Sequence, residues 1–435
     1  MSPKLIFTYA CICVPVAYLV GCGGSEAPQD GAASTQNVAI SGNSFTLNGA
    51  RWIPKAFNIA GFVSTPAYLK QLASQAKYNG YVADTTCTQE LFDAVESYGA
   101  DTVRIFVSQY FFNEASTGEP YYDPNYRQSI VSIVQQARAH GLVVEITMQD
   151  EEESGGPLFH GLPTAETLQN WLRLNEQFGS DEGVLYELYN EPNQSGPLSS
   201  TQWTLWLNGG QAYPPGHASD EMTFTAIGMQ QLVDDLRMAG SKNTFVLDGL
   251  ALATTINGVP AVTDPLNRIA YGIHQYLKGG TVTQADWDTN FGNQSAMLPI
   301  FVDEWSACAN TVPGLKGLDT YQPAVDFLNY LRAKGIGIGA WAIDSNGYMV
   351  NDVPDPSSPQ GCAGWQRPSY YAGYSSNPPM PLGDAGMLII NAFLTDYGRP
   401  LTLADAMILY SPPPATYPPT PPYPTPSYAA IDCST

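Results

Sequence analysis

The sequence predicts an α/β fold, a (β/α)8 TIM barrel with a small N-terminal β-hairpin and a Pro-rich C-terminal tail. The chain has 435 residues, of which 44% are hydrophobic, and this suits one large domain. Between Val38 and Tyr410, short apolar runs alternate with longer amphipathic segments, as in repeated strand–helix units. Eight apolar runs are candidate strands: residues 51–59, 102–107, 143–148, 184–189, 244–247, 270–274, 300–303 and 337–343.

Helical periodicity fills most of the intervals between these strands. Apolar residues recur at spacings of three and four in residues 125–140, 165–178, 223–239 and 324–333. Gly141, Gly240 and Gly335 follow three of these segments, where a left-handed helix cap is expected. Residues 251–268 show weak helical periodicity, so we expect one short barrel helix there.

The two ends of the chain differ in composition from this repeating part. Residues 38–40 and 44–47, joined by Gly42-Asn43, predict a hairpin that caps the bottom of the barrel. The proline density of residues 411–435 excludes helix or central strand and favours an extended arm, either a spacer or a strap packed on the barrel. We therefore expect a catalytic domain over residues 38–410, followed by this tail.

The N-terminal segment resembles a bacterial lipoprotein signal. Lys4 precedes an apolar run, and Leu19-Val20-Gly21-Cys22 resembles a lipobox, which predicts a signal peptide over residues 1–21 and a lipid-modified Cys22. The alternative, a transmembrane anchor, is less favoured because the run is short for a spanning helix. Residues 22–37 are rich in Gly, Ala and Ser and predict a flexible tether. We expect an exported monomer that meets the membrane only through this lipid anchor.

Four cysteines remain beyond the predicted signal and anchor: Cys87, Cys308, Cys362 and Cys433. An oxidising compartment predicts two disulfides among them, and Cys308 with Cys362 is the preferred pair because both would follow late strands. Buried free thiols are the alternative. No closely spaced Cys or His pair occurs, so we expect no metal site.

The charge of the chain limits its partners. Forty acidic and eighteen basic residues give a formal net charge of -22, which would repel nucleic acid and anionic lipid. The excess acid also serves solubility, which is the simpler explanation for it. A neutral or cationic ligand is therefore expected.

Two glutamates follow apolar strand candidates at the end where a parallel barrel carries its active site. Glu191 lies in Tyr189-Asn190-Glu191-Pro192, and Glu304 lies in Val302-Asp303-Glu304-Trp305. A pair of carboxyl groups is what glycosidic bond hydrolysis requires, one to protonate the leaving oxygen and one to meet the sugar carbon. Taken singly, each glutamate could equally cap a helix or form an ion pair.

Supporting residues favour the catalytic interpretation. Arg104 lies among apolar strand residues, where a cation is costly unless it meets a carboxylate such as Glu304. His274 and Tyr276 supply donors at another strand end, and Asn190 stands next to the acid. Trp341 offers a flat apolar face for a sugar ring, although core packing would explain a lone tryptophan as well.

These residues resemble glycoside hydrolase family 5, the cellulase family, over about residues 51–342. Residues 184–193 fit that family's signature, and Arg104, His274, Tyr276, Glu304 and Trp341 follow in the family's order. One departure is Met148-Gln149-Asp150, where the family often has a histidine.

The resemblance implies a retaining TIM-barrel hydrolase that uses no metal or organic cofactor. Glu191 would be its acid/base and Glu304 its nucleophile. The other residues would bind substrate or orient these two: Arg104, Asn190, His274, Tyr276 and Trp341.

The sequence thus predicts an endo-β-glycanase acting on a polysaccharide, first of all β-1,4-glucan. A β-mannanase, an exo-β-glucosidase of the same family and a glycan-binding lipoprotein without activity are the alternatives. Trp203, Trp206 and Tyr213 could form a platform for sugar rings or simply pack with one another in their loop.

Overall fold

The computed structural model describes most of the chain beyond residue 35. The described residues are 36–71, 80–113, 118–151, 154–156, 158–217, 222–277, 283–306, 321–344, 349, 354–366 and 385–406. The predicted signal, tether and Pro-rich tail, together with Cys22, Cys308 and Cys433, lie outside these residues. No helix among them is long and apolar enough to cross a membrane.

A small antiparallel sheet opens the described chain. It consists of β1 (Val38–Ser41), β2 (Ser44–Leu47) and β3 (Ala50–Arg51), and the β1–β2 turn contains Gly42 at φ 61°. Val38 and Phe45 pack against residues that begin the barrel strands, such as Ala56, Val143 and Phe301. The hairpin therefore covers the amino-terminal end of the barrel, opposite the strand ends that carry chemistry.

Eight parallel strands close into a barrel, which confirms the predicted fold. They are β4 (Lys55–Ile59), β5 (Thr102–Ser108), β6 (Val143–Gln149), β7 (Val184–Glu187), β10 (Phe245–Asp248), β11 (Ile269–His274), β12 (Ile300–Trp305) and β13 (Gly337–Ala340). The first predicted strand, 51–59, is divided at Pro54, which has no N–H to donate to a ladder. Its first part pairs with the hairpin and its second part with the barrel.

Helices cover the outside of the barrel. They are α1 (Pro66–Leu69), α2 (Gly80–Thr86), α3 (Thr88–Ser97), α4 (Gln109–Phe112), α5 (Tyr126–Ala139), α6 (Ala165–Phe178), α7 (Ser200–Asn208), α8 (Met229–Met238), α9 (Gln284–Trp287), α10 (Tyr321–Lys334) and α11 (Ala385–Leu394). Gly141, Gly240 and Gly335 all have positive φ just beyond a helix, as predicted. Residues 251–268 form turns and no helix, so the short barrel helix expected in this segment is absent.

One predicted helix, 223–239, is helical only in its second half. Residues Phe224–Ile227 form β9, which pairs with β8 (Gly209–Ala212), and α8 begins after Gly228. A Cβ at position 228 would lie 2.2 Å from the carbonyl oxygen of Leu207. Because glycine permits this close approach, the chain turns from strand to helix at that point.

The disulfide joins Cys87 to Cys362, with Cα atoms 5.3 Å apart and a sequence separation of 275 residues. The predicted pairing of Cys308 with Cys362 is therefore wrong. Cys362 lies in the 3-10 segment Gly361–Gln366, which packs on α3, where the Tyr98 hydroxyl donates to the carbonyl oxygen of Trp365 at 3.0 Å. The packing of residues 361–366 on α3 therefore brings Cys362 to Cys87, which directly precedes α3.

Replacing both Cys87 and Cys362 by serine should lower the free energy of unfolding by about 2–5 kcal/mol, because the bond restricts a very long loop of the unfolded chain. Urea denaturation of the variant and of the wild type, each with and without reductant, measures the difference. Reductant should lower the stability of the wild type and leave the variant unchanged. Equal stability of the two oxidised proteins would contradict the assignment.

Candidate active site

The two predicted acids meet at the carboxyl end of the barrel. Glu304 lies within β12, and Glu191 lies four residues beyond the end of β7, where it adopts φ 51°. One side-chain atom from each of Glu191, His274 and Glu304 lies within 4.8 Å of the others. The Nδ1 atom of His274 is 2.8 Å from Oε1 of Glu191 and 3.8 Å from Oε2 of Glu304. The imidazole thus stands beside both carboxylates.

Arg104 is the centre of the hydrogen-bond network beneath these acids. Its side chain is fully buried, and it forms a two-pronged ion pair with Glu187, at 2.5 and 2.6 Å. Its Nη1 donates to Glu304 and to Asn58, each at 2.8 Å, while Nη2 donates to Asn190 at 2.7 Å. Arg104 therefore contacts Glu304 directly and fixes Asn190, the residue before Glu191.

The remaining predicted site residues contact this network. The Tyr276 hydroxyl donates to Oε1 of Glu304, so that carboxylate receives a donor on each oxygen. The Nδ2 of Asn190 donates to Glu151 at 3.0 Å, which orients the amide beside Glu191. Arg104, Asn190, His274 and Tyr276 therefore lie with the two acids in one constellation.

Trp341 follows β13 directly and lies at the edge of the same end of the barrel. Its backbone N–H donates to the carbonyl oxygen of Trp305 at 2.9 Å, and its ring packs edge-on against Phe106, with 5.2 Å between centroids. Only 8% of the residue is exposed. The ring is thus held rigidly.

Trp203 and Trp206 do not form an exposed platform. Both are buried in α7 and pack edge to face at 5.5 Å. Their indole N–H groups donate to the carbonyl oxygens of Asn257 and Asp248. The structure supports the alternative in which this loop packs its own aromatic residues.

Four buried acids inside the barrel were absent from the predicted site. Glu187 is the last residue of β7, while Glu145, Asp248 and Asp303 lie on β6, β10 and β12; all four are 0% exposed. Asp248 directly follows a predicted strand, a signal that could have identified it.

Their pKa values differ according to their partners. Burial opposes ionisation of Glu187, yet the charge and hydrogen bonds of Arg104 outweigh burial and lower the pKa of this carboxyl. Burial first, and then the charge of Glu187, raises the pKa values of Glu145, Asp248 and Asp303 well above their usual range. The raised pKa values favour the neutral forms of these three acids, which limits the buried charge.

A partly exposed histidine stands beside β6. The Nδ1 of His160 is 2.8 Å from Oδ2 of Asp150, which also accepts from the Tyr189 hydroxyl at 3.1 Å. Burial disfavours the imidazolium of His160, but the hydrogen bond and charge of Asp150 outweigh it and raise its pKa. Asp150 belongs to Met148-Gln149-Asp150, the segment in which the sequence departs from the family. Its carboxylate therefore binds His160, which lies in the loop that follows.

Three groups of His and acidic residues have ligand atoms close enough to hold a metal ion among the described residues. They are Glu187/Asp248/His274/Asp303, Asp93/Glu96/His140 and Glu191/His274/Glu304. The first surrounds the guanidinium of Arg104, which already supplies positive charge there, and the third contains the two predicted reacting groups. The expectation that no metal or cofactor takes part stays a prediction.

A family model described as Cellulase (glycosyl hydrolase family 5) matches residues 58–347, which contain every predicted site residue. The chain belongs to glycosyl hydrolase family 5. The resemblance stated from the sequence is thereby confirmed, and the protein is a glycoside hydrolase by family. Among curated proteins, none matches this chain.

Solved structures share the fold of this family 5 protein at low sequence identity. A β-glucanase, SdGluc5_26A from Saccharophagus degradans in complex with cellotetraose, aligns with a TM-score of 0.52 and 16% identity over 85% of this chain and 98% of its own. The mannanase catalytic domain from Streptomyces sp. SirexAA-E aligns with a TM-score of 0.47 and 17% identity, over 75% and 86% of the two chains.

Two buried aspartates support the turn that follows Trp341. The carboxylate of Asp344 accepts the N–H groups of Ala60 and Gly61 at 2.7 and 2.6 Å. A Cβ on Gly61 would lie 2.7 Å from Asp84 and 2.8 Å from Asp344, so the two carboxyl groups meet beside this glycine. Burial, then the charge of Asp344 and a hydrogen bond with it, raises the pKa of Asp84 well above its usual range. Asp84 therefore carries the proton of the pair.

Asp84→Asn should stabilise the protein increasingly as pH rises. The raised pKa means that folding requires a proton on Asp84, so the free energy of unfolding of the wild type falls from the unfolded pKa, about 3.9, up to the folded pKa. Asparagine keeps a donor for Asp344 and does not titrate. Thermal melts of the two proteins between about pH 5 and about pH 8 should show a growing difference in Tm. Asp93→Asn on the exposed side of α3 is the control, and a pH-independent difference for Asp84→Asn would refute the assignment.

Proposed function

We propose that the protein is a retaining endo-β-glycanase that hydrolyses a β-linked polysaccharide, with β-1,4-glucan as first candidate, by double displacement. The observation that carries the proposal is the closeness of two differently supported carboxylates, Glu191 and Glu304. Membership of the family supports glycosidase chemistry, and the contacts of each acid support a specific role.

The distance between the acids supports retention. Retaining glycosidases hold their carboxyl groups about 5–5.5 Å apart, whereas inverting ones leave about 6.5–9.5 Å for a water molecule. Oxygen atoms of Glu191 and Glu304 lie within 4.8 Å of each other, which agrees with the shorter separation of a retaining pair. A direct attack by one carboxylate on the sugar fits this spacing.

Glu304 suits the role of nucleophile. Arg104 and Tyr276 each donate to one of its oxygens, and the guanidinium places a positive charge beside the carboxylate. Such contacts hold the carboxylate in place against the anomeric carbon. Attack would form a covalent glycosyl ester and break the bond to the leaving oxygen.

Glu191 suits the role of acid and then base. Its side chain is 16% exposed, against 7% for Glu304, and its carboxylate faces the imidazole of His274. In the first step Glu191 would give its proton to the leaving oxygen. In the second it would take a proton from the water that attacks the anomeric carbon and releases Glu304. Asn190, fixed by Arg104 and Glu151, would bind a sugar hydroxyl beside this acid.

The choice of β-1,4-glucan draws on residues around the acids. Trp341 would form the floor of the central subsite, and His160, fixed by Asp150, would offer a partly exposed polar group to an adjoining sugar. The β-glucanase solved with cellotetraose, which shares the fold over most of both chains, supports a glucan ahead of a mannan.

We further propose that the protein is an exported monomer anchored by a lipid at Cys22. The disulfide between Cys87 and Cys362 supports an oxidising compartment, because such bonds are rare in the cytosol. The lipobox-like sequence at residues 19–22 supports the anchor.

Reducing-end release by the purified protein should be seen on cellulosic substrates and should disappear in Glu304→Ala. Loss of the nucleophile should lower the rate on the order of a thousandfold or more. The assay includes mixed-linkage glucan, mannan, xylan and β-1,3-glucan, and a rapid fall in viscosity would indicate endo action. Glu304→Gln, which keeps the size of the side chain, is the matched control for folding.

The outcomes of this assay separate the alternatives. Release on mannan alone would replace the glucan by a mannan substrate within the same mechanism. Full activity in a folded Glu304→Ala protein would contradict the mechanism. Silence on every substrate, with glycan binding retained, would favour a binding protein.

A further inference from the structure

We propose that Asp248 is a positioning residue that orients the acid/base Glu191 through its backbone and through His274. Asp248 is the last residue of β10 and is fully buried. Its Oδ2 accepts the backbone N–H of Glu191 at 3.0 Å and lies 3.5 Å from Nε2 of His274. One oxygen atom thus contacts both the main chain of the acid and the imidazole that faces its carboxylate. The inference deepens the proposed function and rests on it.

The contact with the backbone matters because Glu191 has an unusual conformation. Its φ of 51° lies in the left-handed region, which non-glycine residues occupy only when their surroundings hold them there. The N–H of Glu191 points at Asp248, so an acceptor at this position fixes the direction in which the side chain leaves the chain. Without it, the backbone can relax and shift the carboxylate.

The contact between Asp248 and His274 supports the side-chain carboxylate of Glu191. The imidazole is 1% exposed, and its Nε2 lies 3.3 Å from Nη2 of Arg104 and 3.5 Å from both Asp248 and Asp303. Arg104 can only donate a hydrogen bond, whereas each aspartate can also accept one. These groups hold the ring in the plane that brings Nδ1 to 2.8 Å from Glu191.

The neighbouring strand provides the space for this arrangement. Gly272 of β11 pairs with Asp248 in register, and a Cβ at position 272 would lie 2.1 Å from Oδ1 of Asp248 and 2.5 Å from Oδ2 of Asp303. Any side chain there would displace the two carboxyl groups that flank His274. Glycine at this position is therefore part of the support of the acid.

The chemical form of Asp248 suggests a conservative rescue. Burial, followed by the charge of Glu187, raises its pKa well above the usual range, which favours the neutral form of Asp248. Asparagine has the same shape, is neutral and keeps a carbonyl oxygen for the N–H of Glu191. Asp248→Asn should therefore retain the positioning that Asp248→Ala loses.

The test compares aryl glycosides whose leaving groups differ in their need for a proton. With 2,4-dinitrophenyl β-cellobioside the leaving group departs without acid catalysis, whereas phenyl β-cellobioside requires Glu191; β-mannobiosides replace both if the glycan assay identifies mannan. We expect kcat/KM of Asp248→Ala to fall about 10-fold to 100-fold on the phenyl substrate, a fraction of what general acid catalysis supplies. On the dinitrophenyl substrate it should stay within about threefold of the wild type.

Reference variants separate positioning from stability. Glu191→Ala defines the full loss on the phenyl substrate, and Asp248→Asn should resemble the wild type on both. Glu145→Ala, which removes another fully buried acid without contacting Glu191 or His274, should leave the ratio of the two kcat/KM values unchanged. If Asp248→Ala does not fold, Asp248→Leu replaces it, because leucine fills the space and offers no acceptor.

Two outcomes would overturn the inference alone. In the first, the wild type is active, but Asp248→Ala or Asp248→Leu leaves the ratio of the kcat/KM values on the two aryl substrates unchanged. In the second, Glu145→Ala changes this ratio as much as the substitution of Asp248 does. Hydrolysis of neither substrate by the wild type, together with silence on every glycan, would instead overturn the proposed function and this inference with it.

Discussion

The buried guanidinium of Arg104 is the interaction on which the site depends. A fully buried cation is stable only if its partners replace the lost water, and Arg104 meets Glu187, Glu304, Asn190 and Asn58 within the barrel. These partners come from β4, from β12 and from β7 and its end, so the barrel must close for the charge to be satisfied. The same contacts that offset this cost of burial also orient Glu304 and the amide of Asn190. Closure of the barrel thus satisfies the buried charge of Arg104 and sets the geometry of the site at the same time.

The two acids differ because the barrel supports them differently. Glu304 is held within a strand by two donors, and one of them carries a full positive charge. Glu191 stands beyond the end of its strand, in a left-handed conformation, and is held through its backbone by Asp248 and through its carboxylate by His274. The first carboxylate is thus fixed at both oxygens, whereas the second faces one imidazole. Below them, burial raises the pKa values of Glu145, Asp248 and Asp303, which favours their neutral forms.

Much of this could be predicted from the sequence. The eight strands, the glycine caps at Gly141, Gly240 and Gly335, and the grouping of the site residues all follow from local patterns that repeat along the chain. Strand ends are especially informative because the topology of a parallel barrel brings them together whatever the loops do. Residues as distant as Arg104 and Glu304 could therefore be assigned to one site.

Features that depend on tertiary contacts could not be predicted in the same way. The partner of Cys362 follows from the packing of residues 361–366 on α3, which no local pattern reports. The segment before Gly228 has helical spacing, yet it pairs as a strand with β8. Trp203 and Trp206 resemble a binding platform in sequence, but their indole groups donate to buried carbonyl oxygens. Asp248 also ends a predicted strand, but its contacts with the backbone of Glu191 and with His274 depend on the folded barrel.

We propose that Glu304 attacks the sugar directly while Glu191 serves as acid and base. Proton NMR during hydrolysis of a soluble β-glucan oligosaccharide can follow the anomeric configuration of the first product. The β-anomer should appear first and mutarotate later to the equilibrium mixture, because two displacements restore the original configuration. Initial release of the α-anomer would show inversion and would rule out double displacement.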